Sequence, residues 1–148
     1  MKVTVECLKG RKEKYEKVMT PHGVDFLLNR MLKRRWVANY GYVEGTLQAD
    51  GDELDTYILG NDVAIGGTYE ALPICMIYSV DNGEVDNKLI CATRSAKNIN
   101  RTVKRIIKFV GKYKANSYVA GVTWKDFNIR YELARTKAMY KLFNKGGN

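Results

Sequence analysis

The sequence predicts a mainly β chain with helices, folded as a small barrel or sandwich with its helices on one side. Three observations carry that reading. Short segments rich in branched and aromatic residues alternate with Gly, Asp and Asn turns through the first two thirds of the chain. From Lys97 the hydrophobic period becomes helical. Only two prolines interrupt the 148 residues, and no repeat, low-complexity tract or linker divides them. A single domain over residues 1–148 follows, long enough to bury roughly 70% of its unfolded surface.

Val3, Val5 and Cys7 alternate with Lys2, Thr4 and Glu6, as a half-buried strand requires, and Tyr15 to Met19 reads as a second strand after the polar turn Gly10 to Lys14. Val24 to Leu32 fits neither the strand nor the helix period. Leu54 to Leu59, Thr68 to Leu72, Ile74 to Val80 and Lys88 to Thr93 are strand candidates, separated by turns such as Gly66-Gly67 and Asp81-Asn82-Gly83. Ile99, Val103, Ile106, Ile107 and Val110 then fall on one helical face, with the cations opposite and Gly111 as the stop. Tyr118 to Val122 returns to the sheet. Asp126 to Asn144 reads as a second helix, with Ile129, Leu133, Met139 and Leu142 directed inward.

Composition narrows the classes. No run of about twenty apolar residues exists, which excludes a spanning helix, and MKVTVECLKG lacks the apolar core of a secretory signal. Cys7, Cys75 and Cys91 are odd in number, widely spaced and set among apolar residues, which fits reduced thiols better than a disulfide framework or a zinc site. The expected address is the cytoplasm. A formal charge of +9 asks for an anionic partner. That charge is sorted along the chain. Residues 36–87 hold ten acids and no Lys or Arg, whereas residues 88–125 hold ten cations and no acid. Two solvated faces would account for this. So would an acidic cup for cations facing a basic wall for an anion, and metal-bound phosphate satisfies both.

Asp50, Asp52 and Asp55 crowd a turn that leads into an apolar strand. At an effective dielectric of about 20, two carboxylates about 4 Å apart repel by roughly 4 kcal/mol, so three together call for a cation between them. Oxygen ligands favour Mg²⁺ or Mn²⁺ over zinc. An EF-hand loop is excluded, because its glycine would fall on Asp55 and its closing glutamate on Asn61.

The run Asn39-Tyr40-Gly41-Tyr42, Gly45-Thr46-Leu47, Asp50-Gly51-Asp52-Glu53-Leu54-Asp55 resembles the central motif of the family I inorganic pyrophosphatases in order and spacing. The resemblance covers most of the chain and weakens beyond Trp124. It implies an OB-like five-stranded β-barrel flanked by two α-helices, and hydrolysis of pyrophosphate to two phosphates. It also implies that Asp50, Asp55, Asp81 and Asp86 hold metal, with Glu6 and Glu16 as further metal-binding acids in an outer wall. Asp52 would orient and deprotonate the attacking water. Lys14, Arg30, Tyr40, Lys88, Tyr113 and Lys114 would grip phosphate. Each of these residues alone has an ordinary structural reading, as core aromatic or solvated charge, but their joint order and spacing do not.

The chemistry agrees. In-line attack on a compact polyanion needs neutralised oxygens, an activated water and a stabilised leaving phosphate, and no Ser, Cys or His nucleophile. The lone histidine, His22, reads as a surface turn residue. Trp36 stands where the family has a tyrosine, Asn82 where it has a second acid, and Val37, Glu44 and Glu53 where it has prolines, substitutions that loosen turns. Homo-oligomers are common in the family, and the basic helix from Lys97 to Lys114 is expected either to form a subunit contact or to hold the chain near nucleic acid, with no membrane partner. Two alternatives stay open: a single-strand nucleic-acid module using Arg101, Lys104, Arg105, Lys108 and Lys112 with Trp36, Tyr40 and Tyr42 as stacking platforms, and a magnesium and pyrophosphate binder without turnover.

Overall fold

The computed structural model describes residues 1–112, 116–124 and 127–146. Ten strands and two helices follow in the order β1 (Lys2–Cys7), β2 (Glu13–Thr20), β3 (Gly23–Met31), β4 (Asn39–Val43), β5 (Asp55–Leu59), β6 (Thr68–Glu70), β7 (Leu72–Asp81), β8 (Glu84–Val85), β9 (Lys88–Ala92), α1 (Ile99–Val110), β10 (Ser117–Trp124) and α2 (Phe127–Gly146). The main sheet runs β10-β7-β9-β5-β4-β1-β6, with β8 on β7, while β2 and β3 form a separate hairpin. Only β5 and β9 pair in parallel among the described strands, with Asp55 opposite Lys88 and Leu59 opposite Ala92.

The central strands are buried on both faces, which explains why they read as nearly continuous apolar runs rather than clean alternations. Tyr57, Cys75, Ile77 and Ile90 pack against Val103, Ile106, Phe109 and Val110 of α1. Their neighbours Leu54, Ile58, Met76, Leu89 and Cys91 turn to the other face, where Ile129 of α2 closes over them. All three thiols are free and buried, and burial pushes each up to about 12, so they stay protonated and unreactive.

The segment left without a period is β3. Its alternation is missing because the hairpin stands off the barrel and exposes Val24, Leu27, Leu28 and Met31 alike. The motif residues Asn39 to Val43 form a strand of their own. Leu142, expected to face inward, is instead 71% exposed, since α2 contacts the barrel through Ile129 and Leu133 and its far half projects away.

Gly41 lets β4 lie against β1. A Cβ there would stand 1.8 Å from the Thr4 carbonyl oxygen and 3.1 Å from the Val5 Cα, both backbone atoms that cannot rotate aside. Gly41→Ala is therefore expected to cost about 2 kcal/mol and to lower the melting temperature by about 5 °C. An unchanged thermal melt would mean that the two strands can separate freely.

Candidate active site

The acidic turn is held from beneath. Thr46, fully buried, donates its hydroxyl to the Val43 carbonyl at 2.6 Å and accepts the Leu54 N–H at 3.0 Å. Leu54 is itself buried in the core. Above this anchor the chain doubles back at Gly51, whose φ of 91° favours glycine, and the Gln48 N–H donates to the Asp52 carbonyl at 2.7 Å. The Asp52 N–H donates to Asp50 Oδ1 at 3.0 Å. These bonds raise Asp50 and Asp52 at the mouth of β5, where Asp55 begins the strand.

Parallel pairing then sets Lys88 beside Asp55. The Lys88 ammonium donates to Asp55 Oδ2 at 2.7 Å, to Asp86 at 3.1 Å and to the Tyr40 hydroxyl at 2.9 Å. Burial alone would lower the Lys88 pKa, but the Asp55 and Asp86 carboxylates outweigh it and raise it. Burial raises the Tyr40 pKa, and the Asp55 charge adds to it, so the phenol stays a neutral donor. Asp81 and Asp86 reach the same place from the turn between β7 and β9, with the Asp86 N–H bonded to the Ser79 carbonyl at 2.9 Å and Asp81 accepting from Ser117 at 2.9 Å.

The result is a cavity of about 220 Å³ whose walls include Asp50, Asp52, Asp55, Asp81, Asp86 and Lys88. A second cavity of about 270 Å³ adjoins it, with Glu6, Glu16, Lys17, Tyr42 and Glu53 in its wall. Lys14, Tyr40, Asp52 and Asp55 line both. Of the residues expected at the site, Arg30 is not among the lining residues. It lies across the hairpin from Lys14 on exposed β3. Tyr113 and Lys114 fall outside the described residues.

Like charges press on one another here. Asp52 is raised by partial burial and by the charges of Asp50, Asp55, Glu53 and Glu16. Glu6 is pushed up to about 7 by burial, with Asp55 the next cause. Such crowding of oxygen donors is the chemistry of a divalent-cation site. Among the described residues no three acids, His or Cys converge closely enough to enclose an ion, and the Lys88 ammonium stands between Asp55 and Asp86 where a cation would bind. The donor set fits Mg²⁺ or Mn²⁺ in kind, with Lys88 as the present counter-ion.

The sequence assigns no part at the site to Lys17, Glu53 or Ser117, all of which line one of the two cavities. Lys17 bonds Glu53 and lies 4.5 Å above the Tyr42 ring. Separations of 36 residues, as for Lys17 with Glu53 and Ser117 with Asp81, leave no local signal. The departures from the family pattern acquire physical reasons. Trp36 is 3% exposed, stacks on Tyr40 at 4.9 Å and donates its indole N–H to the Glu13 carbonyl at 3.0 Å, so its donor is already used. Asn82 and Gly83 take φ of 52° and 80° in the two-residue turn joining β7 to β8, a conformation that Asn and Gly favour. Glu44 and Glu53 are engaged rather than loose, accepting from Thr4 and Lys17.

The inorganic pyrophosphatase family model matches residues 3–137. The inorganic pyrophosphatase of Haloferax volcanii is 30% identical over 138 residues, covering 82% of this chain and 77% of that protein. That of Halobacterium salinarum is 36% identical over 89 residues, 58% of this chain. The chain spans about half the length of some relatives it matches, 49% for H. salinarum and 51% for Picrophilus torridus. In fold it superimposes on the crystal structure of an inorganic pyrophosphatase from Neisseria gonorrhoeae with a TM-score of 0.81 at 24% identity, over 95% of this chain and 91% of that one. The match of a family model across nearly the whole chain, together with the shared mainly β, OB-like fold with two helices, shows that the chain belongs to the family I inorganic pyrophosphatases.

Proposed function

We propose that this chain, as one domain over residues 1–148, hydrolyses inorganic pyrophosphate to two phosphates by direct attack of water. The observation that carries the proposal is the gathering of five aspartates with Lys14 and Lys88 around one small, open, polar cavity. The two serines in its wall, Ser79 and Ser117, already donate their hydroxyls to the Asp86 carbonyl and to Asp81, and no Cys or His lines it among the described residues.

Asp50, Asp55, Asp81 and Asp86 would hold the metal, with Glu6 and Glu16 in the outer wall. Bound Mg²⁺, or Mn²⁺ in its place, supplies neutralising charge for phosphate oxygens and acidifies water. Asp52 accepts the proton of the attacking water on its carboxylate. Its raised pKa makes that carboxylate a better base than a solvated one. Lys14, Lys88 and the Tyr40 hydroxyl donate to phosphate oxygens, and Arg30, Tyr113 and Lys114 complete the grip. The enzyme would act in the cytoplasm as a homo-oligomer. Among the described residues, no helix is long and apolar enough to cross a membrane.

Phosphate release from pyrophosphate is the test, measured with Mg²⁺ and with chelator. Release at many turnovers per chain, abolished by chelator, is the expected result. A folded protein that releases no phosphate at any metal concentration overturns the proposal, and Mg²⁺-dependent pyrophosphate binding without turnover would make it a binding protein.

A further inference from the structure

At the opposite end of the β5 and β9 strands from Asp55 and Lys88 lies a second charged feature that the proposed reaction does not use. Lys9, Lys97, Arg101 and Arg105 line a cavity of about 270 Å³ between the end of β5 and the start of α1. From there Arg101, Lys104, Arg105 and Lys108 continue along the outer face of α1, all exposed. None of them is in an ion pair among the described residues, and no acid stands in the first turn of α1. The acids that would balance them are gathered in the catalytic cavities near the other end of α1.

Four occupants are disfavoured by what surrounds this face. A membrane surface asks for a helix with an unspent apolar side, but Val103, Ile106, Phe109 and Val110 are buried in the core. A second copy packed two-fold on α1 would set the same cations against each other. A single small anion would fill the cavity and leave the row beyond it unpaired. Single-stranded nucleic acid gains much of its affinity from stacking, and among the described residues none of the three platforms expected for it lies on this surface. Trp36 and Tyr42 are buried, and Tyr40 lies in the catalytic cavity. What remains is charge, and double-stranded nucleic acid carries more of it per unit length than a single strand. Arg101 to Lys108 spans about 10 Å of helix, over which a duplex presents about six phosphate charges.

We infer that the cationic face of α1, with Lys9 and Lys97 at its end, binds the phosphate backbone of double-stranded nucleic acid without reading its bases. This inference is independent of the proposed hydrolysis. The Asp-lined cavities take no part in it, so binding needs no divalent cation.

The test is fluorescence anisotropy of a labelled 20-base-pair DNA duplex of arbitrary sequence with the full chain, in chelator, from 50 to 200 mM NaCl. With about four phosphates neutralised, affinity should fall about 100-fold across that range. Arg101→Gln, Arg105→Gln and Lys108→Gln together should weaken binding at least tenfold at low salt and make the salt slope shallower by about three. An unchanged thermal melt would show the triple variant to be folded, as expected for exposed positions. Asp52→Asn should bind the duplex as the native chain does. Absence of binding at 50 mM salt, or equal salt slopes for the native chain and the triple variant, overturns the inference. So does tighter binding of a single strand of the same length, or of inorganic polyphosphate of equal charge.

Discussion

Asp52→Asn is expected to lower the rate of pyrophosphate hydrolysis about 1000-fold, about 4 kcal/mol of transition-state stabilisation, while divalent-cation and pyrophosphate binding change little. The expectation rests on what the side chain does and does not hold. Asp52 lines both acidic cavities. The bonds that shape its turn are made by its backbone, to Gln48 and to Asp50 Oδ1. An amide of the same size therefore preserves the loop and removes the proton acceptor. It also relieves like-charge repulsion with Asp50 and Asp55, so cation binding should not weaken. The measurement is kcat alongside calorimetric titration with Mg²⁺. Turnover within tenfold of the native chain would remove Asp52 from the role of base, and a large loss of Mg²⁺ affinity would make it a ligand instead.

The parts of this molecule legible in the sequence are those written in local pattern. The helical period from Ile99 to Val110 survives because one face of α1 is core and the other solvent. The strand at Val3, Val5 and Cys7 is legible because its other face is polar, although Thr4 there is buried and Glu6 lines the second cavity. The hairpin strand β3 was not, because a strand that buries neither face has no reason to alternate. The part of α2 that contacts the barrel is shorter than its pattern suggests, since Leu142 keeps the helical spacing beyond the last inward residue. At the site, Asp50, Asp52 and Asp55 are neighbours in sequence and announce themselves by crowding. The engagement of Lys88 by Asp55, Asp86 and Tyr40 does not, because it depends on parallel register between strands 33 residues apart. Asn82 looks like a lost acid in sequence, whereas its left-handed backbone shows a turn requirement at the same position.

Lys88→Met is expected to destabilise the metal-free protein by about 3 kcal/mol, a fall of about 10 °C in melting temperature. The Lys88 side chain is 13% exposed and is the counter-ion of two partly buried carboxylates, Asp55 and Asp86. Removing it leaves both facing each other without compensation, whereas a methionine of similar length keeps the packing against Tyr40. The sign then reverses with magnesium. In the native chain a divalent cation must displace an ammonium from between Asp55 and Asp86, but in the variant the same carboxylates have no competitor. Added Mg²⁺ should accordingly raise the melting temperature of the variant more than that of the native chain, since stabilisation by a ligand grows with its affinity. Equal gains in the two proteins would show that Lys88 and the cation occupy separate places. A larger gain in the variant, joined to a weaker apparent affinity for pyrophosphate, would show that Lys88 guards the carboxylates in the free protein and donates to phosphate oxygens once they are present.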